Sequence, residues 1–399
     1  MPMSVLKLAA RSKLIAPSAT LAMAGEARRL KSQGIEVFDF ALGEPDFDTP
    51  ANIQEAAIQA MKCGETHYTP PAGIPKLREA IARHYSEHHQ LATTAEQVVV
   101  SNGAKHAIHN ALMAVCGPGD EVIIPTPYWV SYSDLVKLTG AVPVLLETTA
   151  AEGFKLTPDR FLAAVTDRTK LLMLNSPSNP TGVVYTRPEL LALADAVLTT
   201  SVGVLSDEIY EQLCYGRVEP TCFAALRSSL PERTITISGV SKTYAMTGWR
   251  IGWSVAPASI SKFIGDLQSQ ETSNPCSISQ HAALEAIVGP QDSVARMRLE
   301  FGQRRAYVLD RIAGLPEVTC VPPDGAFYAF MDVSSHFGRV LRRRQIANSS
   351  DFCLAALAEA HVALVMGSAF GAEGYARLSF ATSHDVLKRG FDALADFLA

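Results

Sequence analysis

The stretch SKTYAMTGWRIG, residues 241–252, holds one lysine, Lys242, and one arginine, Arg250, with no carboxylate between them. An ammonium in such apolar company is costly to bury unless it is paired or neutral, and a neutral lysine amine is a nucleophile and a base. Four further segments carry polar or aromatic side chains just past short β-branched or apolar runs. VVVSNGAK ends in Gly103, Ala104 and Lys105, and VIIPTPYW in Trp129; LLMLNSPSNPTG leads to Asn179, and VGVLSDEIY to Asp207 and Tyr210. Each has an ordinary explanation when taken singly. Asp207 would be a cap or turn residue, Trp129 core, Asn179 a turn acceptor, Gly103-Ala104 a strand-to-helix turn and Arg250 half of a surface ion pair. Five such groups at successive strand ends predict one pocket, because ligands of open α/β sheets sit beyond the carboxyl ends of the strands.

The parts fit a pyridine aldehyde phosphate. Lys242 would form a Schiff base with the aldehyde, and Asp207 would keep the ring nitrogen protonated so that the ring withdraws electrons. Tyr210 and Asn179 would serve a ring hydroxyl, and Trp129 would lie on the ring face. A phosphate suits free amides at a helix start plus a guanidinium. Gly103 and Ala104 supply the first, and Arg250 and the Ser241 hydroxyl flank it.

These residues must be positioned by a mostly parallel sheet, since the middle of the chain alternates strand-like and helix-like runs. The last third changes to mixed-charge helical periodicity and short strands. The expected organisation is an N-terminal arm and part of a small domain over 1–45, a large domain over 46–290, and a small α+β domain over 291–399. A chain of 399 residues with 48% hydrophobic side chains can fill two cores. A net charge of −5 disfavours nucleic acid and anionic membranes as partners. No apolar run is long enough to span a bilayer, and no basic arm or DNA-binding module is expected. Seven scattered cysteines without a CxxC pair predict free thiols in a cytoplasmic protein and no metal. His106 and His109 share a helical face, but no carboxylate or cysteine accompanies them in the sequence, so they are expected to be packing or surface residues.

Six segments carry a more specific signal: YTPPAGIPKLREAI, DEVIIPTPYWVSY, NSPSNPTG, SDEIYE, SKTYAMTGWRIG and ARLSFATS. Together the chain resembles the fold-type I aminotransferases that use pyridoxal 5′-phosphate, and within them the bacterial class I subgroup of aspartate aminotransferases. The likeness runs from APSAT, near residue 17, to the C-terminus. It implies an α/β large domain built on a mostly parallel seven-stranded sheet, a small domain made from both chain ends, and a homodimer with shared active sites. It also implies that Lys242 is the Schiff-base lysine, Asp207 the partner of the ring nitrogen, Tyr210 and Asn179 the partners of the ring oxygen, Trp129 the stacking aromatic and Arg250 a phosphate ligand. Tyr68 would reach the phosphate of the neighbouring subunit. Arg377 would grip the substrate α-carboxylate, and Gly43 would let the substrate approach the backbone.

In this subgroup a lysine at the position of Lys105 binds the distal carboxylate of aspartate or glutamate, helped by the PSAT segment that carries Ser18 and Thr20. A first-turn lysine opposes the helix dipole, which favours a binding role here. The implied substrates are amino acids and 2-oxo acids, with L-aspartate and 2-oxoglutarate foremost. Lys105 with Thr20 also keeps prephenate open as an acceptor, and aromatic or alanine aminotransferases are the remaining relatives. GAKH stands where GGKQ is commoner, and the amide of Ala104 keeps the phosphate contact available. In the implied chemistry Lys242 is one general base that serves both half-reactions.

Overall fold

A computed structural model describes residues 6–15, 17–216 and 218–399 of the 399-residue chain. Residues 1–5 of the expected N-terminal arm, and Ala16 at the start of APSAT, lie outside the described residues.

Seven strands form the principal sheet: β1 (Val98–Ser101), β2 (Glu121–Thr126), β3 (Val142–Glu147), β4 (Thr169–Asn175), β5 (Gly203–Asp207), β6 (Thr234–Gly239) and β7 (Gly252–Val255). Their order is β1-β7-β6-β5-β4-β2-β3. Only β7 opposes its neighbours, pairing antiparallel with both β1 and β6. The runs VVVS and TITISG are buried along their whole length, as expected of strands covered on both faces by crossover helices. Two strands had no clear local signature in the sequence. β3 is half exposed at the sheet edge and contains Pro143, which an edge position tolerates. β7 is four residues long and begins at a glycine directly after Ile251. Pairing register sets the strand ends level, with Asn175 opposite Asp207 and Asp207 opposite Ile237. The side chains that follow these ends therefore meet at one edge.

A second, antiparallel sheet runs Val365–Met366, Tyr375–Ser379, Tyr328–Asp332, Thr319–Cys320. Its core includes Phe330, Phe352, Leu378 and Phe391, and N-terminal residues Met23, Ala27 and Phe40 belong to the same cluster. Phe38–Asp39 pairs in parallel with Val362–Ala363, so both chain ends share that core. The His384–Leu398 helix buries Leu387, Phe391, Leu394 and Leu398, a stripe at helical spacing, and Ser383 caps its start by accepting from the Val386 N–H. Full burial of one such side chain stabilises by about 1.5–3 kcal/mol, so this stripe fixes the C-terminus firmly to the second sheet. Among the described residues no helix is long and apolar enough to cross a membrane.

Candidate active site

The carboxyl edge of the principal sheet opens on a cavity of about 260 Å³. Its walls bring together Lys242, Asp207, Tyr210, Asn179, Ala104, Lys105, Trp129, Ser241, Arg250 and Arg377, with Ser18, Thr20 and Gly43 from the N-terminal segment. Gly103 stands directly behind Ala104 as the N-cap of the Ala104–Val115 helix. Tyr68 is not on this wall; it is 89% exposed.

Lys242 is held in the loop after β6. Its Nζ donates to the Gly43 carbonyl at 2.6 Å and lies 5.9 Å from the centre of the Tyr210 ring. Burial pulls its pKa down to about 8, with Glu44 opposing the fall and Arg250 and Arg377 adding to it. A fraction of the amine is therefore unprotonated near neutral pH. The backbone at Gly43 must come close, because a Cβ there would meet the Tyr328 hydroxyl at 2.8 Å.

Asp207 ends β5 as a buried carboxylate. Its Oδ2 accepts from the Tyr132 hydroxyl at 2.6 Å and its Oδ1 from the Ile209 N–H at 3.3 Å. Burial raises its pKa to about 6, against the lowering pull of those two bonds and of Lys242. Asn175, the last residue of β4, donates to the Asp207 carbonyl and accepts from the Asn179 N–H, both at 2.9 Å, so it fixes the two polar loops to each other.

Arg377, on the Tyr375–Ser379 strand, is 1% exposed. It occupies the middle of the strand, where it pairs with Phe330. Its Nη1 donates to Asn179 Oδ1 at 2.9 Å and its Nη2 to the Ala41 carbonyl at 2.7 Å, while Nε has no hydrogen-bond partner. The guanidinium lies 4.5 Å from the Tyr328 ring centre and 5.1 Å from that of Phe370. Tyr328 and Tyr210 share a 2.8 Å hydroxyl contact.

The helix start carries two more cations. Gly103 has φ 86°, and a Cβ there would meet the Arg250 guanidinium at 2.3 Å, so only glycine lets that side chain lie across the helix N-terminus. Arg250 donates to the Thr247 carbonyl at 2.8 Å. Lys105 places Nζ 4.9 Å from the Trp129 ring centre, and burial together with Arg250 lowers its pKa. Among the described residues, Lys105, Lys242, Arg250 and Arg377 have no carboxylate oxygen within 4.0 Å. Four cations thus line a cavity whose one carboxylate is Asp207. Such a wall can hold a ligand carrying several negative groups.

Sequence reasoning missed Tyr132, Asn175 and Tyr328. Tyr132 does sit in the quoted PYWVSY segment, three positions past Trp129, but nothing local singles it out. The expectation that no carboxylate accompanies His106 and His109 is corrected. Glu271, at the end of the Ala258–Glu271 helix, lies 3.5 Å from His106 Nε2 and 3.8 Å from His109 Nε2. His106 Nδ1 in turn accepts from the Asn102 N–H at 3.3 Å, next to the glycine that opens the helix. The pair is part of the wall's support rather than a free surface.

Comparison with known proteins agrees with this geometry. The family model for aminotransferase class I and II matches residues 35–394. An aspartate aminotransferase of Geobacillus stearothermophilus is 45% identical over 98% of this chain and 99% of its own. An aspartate/prephenate aminotransferase of Cereibacter sphaeroides is 44% identical over 96% of this chain and 97% of its own. Among solved structures, the aspartate aminotransferase from Rhizobium meliloti superposes with a TM-score of 0.95 at 40% identity, covering 98% of this chain and 99% of that one. The Thermus thermophilus aspartate aminotransferase with maleate gives 0.93 at 40% identity, covering 99% and 100%. With the sheet, the lysine loop and full-length likeness in agreement, the chain belongs to the class I and II aminotransferases, on the fold-type I α/β architecture.

Proposed function

We propose that the protein is an aspartate aminotransferase, transferring the amino group of L-aspartate to 2-oxoglutarate to give oxaloacetate and L-glutamate. The observation that carries this reading is the set of three cations without carboxylate partners, Lys105, Arg250 and Arg377, around one buried carboxylate and one buried amine of lowered pKa. Those groups fit pyridoxal phosphate together with a dicarboxylate substrate.

When bound, the cofactor supplies an aldehyde that exchanges amines and a ring that withdraws electrons. Lys242 is the amine that would hold the aldehyde as a Schiff base, and its partly unprotonated Nζ suits it to carry the substrate Cα proton in both half-reactions. Asp207, held by Tyr132, would pair with the protonated ring nitrogen. Tyr210 and Asn179 would bind the ring oxygen, and Trp129 would cover the ring face. Arg250, Ser241 and the amides that open the helix at Gly103 and Ala104 would take the phosphate. Tyr68, exposed on its own chain, would complete the phosphate site of a neighbouring subunit in a homodimer with shared active sites.

Arg377 has one N–H already orphaned and two others bound to neutral oxygens, so a substrate α-carboxylate is its best available partner. Lys105, with Thr20, would take the distal carboxylate, and Gly43 would admit the substrate to the backbone. We take residues 46–290 as the large domain and 1–45 with 291–399 as the small one. The seven free cysteines of the chain fit a reducing, cytoplasmic setting.

A second reading, prephenate as acceptor, is favoured by the name of the Cereibacter relative and by the same two cations, since prephenate also carries two carboxylates. Aromatic or alanine aminotransferase activity would leave Lys105 without a partner. The test is a half-reaction screen. The purified holoenzyme is mixed separately with aspartate, glutamate, arogenate, alanine and phenylalanine, and loss of the cofactor's visible absorbance is followed. Aspartate and glutamate should react at least about tenfold faster than alanine and phenylalanine. Equal rates would sink the dicarboxylate reading.

A further inference from the structure

Outside the cavity, the described residues contain one cluster whose ligand atoms lie within 4.8 Å of one another: His84, His89 and Glu211. His84 is in the last turns of the Pro75–His88 helix, His89 is its C-cap, and Glu211 follows β5 by four residues. Tyr210 lines the cavity, whereas Glu211, the next residue, turns to the opposite side. There Glu211 Oε2 lies 2.9 Å from His89 Nε2, and Oε1 lies 3.8 Å from His84 Nε2. The side chains are 6% exposed at His89, 8% at Glu211 and 14% at His84.

The 2.9 Å contact is within ion-pair range but is not aligned as a hydrogen bond. His89 Nε2 and Glu211 Oε2 are both buried and both without a hydrogen-bond partner. Buried polar atoms are rarely left so, and two that face each other call for a third party. Glu211 Oε1 also accepts from Ser238 Oγ at 3.2 Å, the kind of outer contact that orients a ligating carboxylate. The two histidines thus flank one carboxylate, each in ion-pair range of a different oxygen.

We propose that His84, His89 and Glu211 bind one divalent ion of the zinc class, with a water as fourth ligand. Zinc bonds of about 2.0–2.2 Å put tetrahedral ligand atoms about 3.4 Å apart, and the three candidate ligand atoms here lie within 4.8 Å of one another, each histidine nearer a different carboxylate oxygen. Two imidazoles and a carboxylate, with no thiolate, suit zinc and its spectroscopic substitute cobalt(II) better than copper(I). No atom of the cluster reaches the cavity, so the ion is structural. It ties the end of the Pro75–His88 helix to the segment that leaves Asp207.

The test uses pyridoxal-phosphate-loaded protein, stripped of metal with a chelator and held at mildly alkaline pH so that the imidazoles are neutral. Zinc is titrated by calorimetry, and cobalt(II) by visible absorption. One equivalent per chain, a tetrahedral cobalt spectrum and a zinc-dependent rise in melting temperature are expected. H84Q and H89Q should each weaken binding at least about tenfold, and the double variant should abolish it. His84 is the more exposed ligand, so H84Q, checked by circular dichroism, carries the test if H89Q fails to fold. No stoichiometric zinc in the wild-type protein, or binding that H84Q leaves within tenfold, would overturn the proposal.

Discussion

Two buried arginines in this chain have opposite surroundings. Arg304, on the Asp292–Ala313 helix, meets Asp46 at 2.6 Å and Glu300 at 2.9 Å, with its guanidinium 5.1 and 5.6 Å from the ring centres of Phe47 and Phe301. Arg377 lies over two rings in the same way, but has only neutral oxygens as partners. Burial of a guanidinium is costly wherever it happens. At Arg304 two carboxylates offset that cost within the fold, and the residue stitches the chain's early segment to the long helix. At Arg377 the fold leaves the cost standing, and a ligand carboxylate can recover it. Two equally buried cations thus differ in their partners, and the proposed binding role falls to the one that the fold leaves without a carboxylate.

Three substitutions can break or sharpen that contrast. The largest effect is expected from R377Q, which should lower kcat/KM for aspartate by about 10³, the loss of a desolvated two-pronged charge pair, without lowering the melting temperature. Steady-state kinetics beside a thermal melt checks both halves. A destabilised R377Q with a normal kcat/KM would reverse the assignment. Next comes R304M, which keeps the apolar stem over Phe47 and Phe301 and strands Asp46 and Glu300. Both carboxylates are about a third exposed and can rehydrate, so the expected loss is about 2 kcal/mol in urea unfolding, with KM for aspartate unchanged. The smallest effect belongs to K105A. It should raise KM for aspartate and 2-oxoglutarate about 10–30-fold and leave alanine turnover within about twofold. A uniform fall for all substrates would place Lys105 with the phosphate instead.

Lys242, Asp207, Asn179 and the Gly103-Ala104 helix start were legible in the sequence because each follows a recognisable buried strand, and parallel strands deliver their ends to one edge. The partners of these residues were not legible. Tyr132 reaches Asp207 across 75 positions, and Tyr328 comes from the second sheet to touch both Tyr210 and the Gly43 backbone. Such contacts depend on how the two sheets dock, which periodicity does not encode. The same limit hid Glu271 behind His106, and Glu211 between His84 and His89. That Arg377 has no carboxylate partner and Arg304 has two is likewise a property of the packing.

In the proposed function the buried amine of Lys242 carries the cofactor above a cation-lined wall. Borohydride reduction of the purified protein supplied with pyridoxal phosphate, followed by peptide mapping, tests it directly. A pyridoxyl adduct on Lys242, prevented by prior addition of aspartate, is the predicted result. A protein that stays colourless with the cofactor supplied, or an adduct on any other lysine, would contradict it.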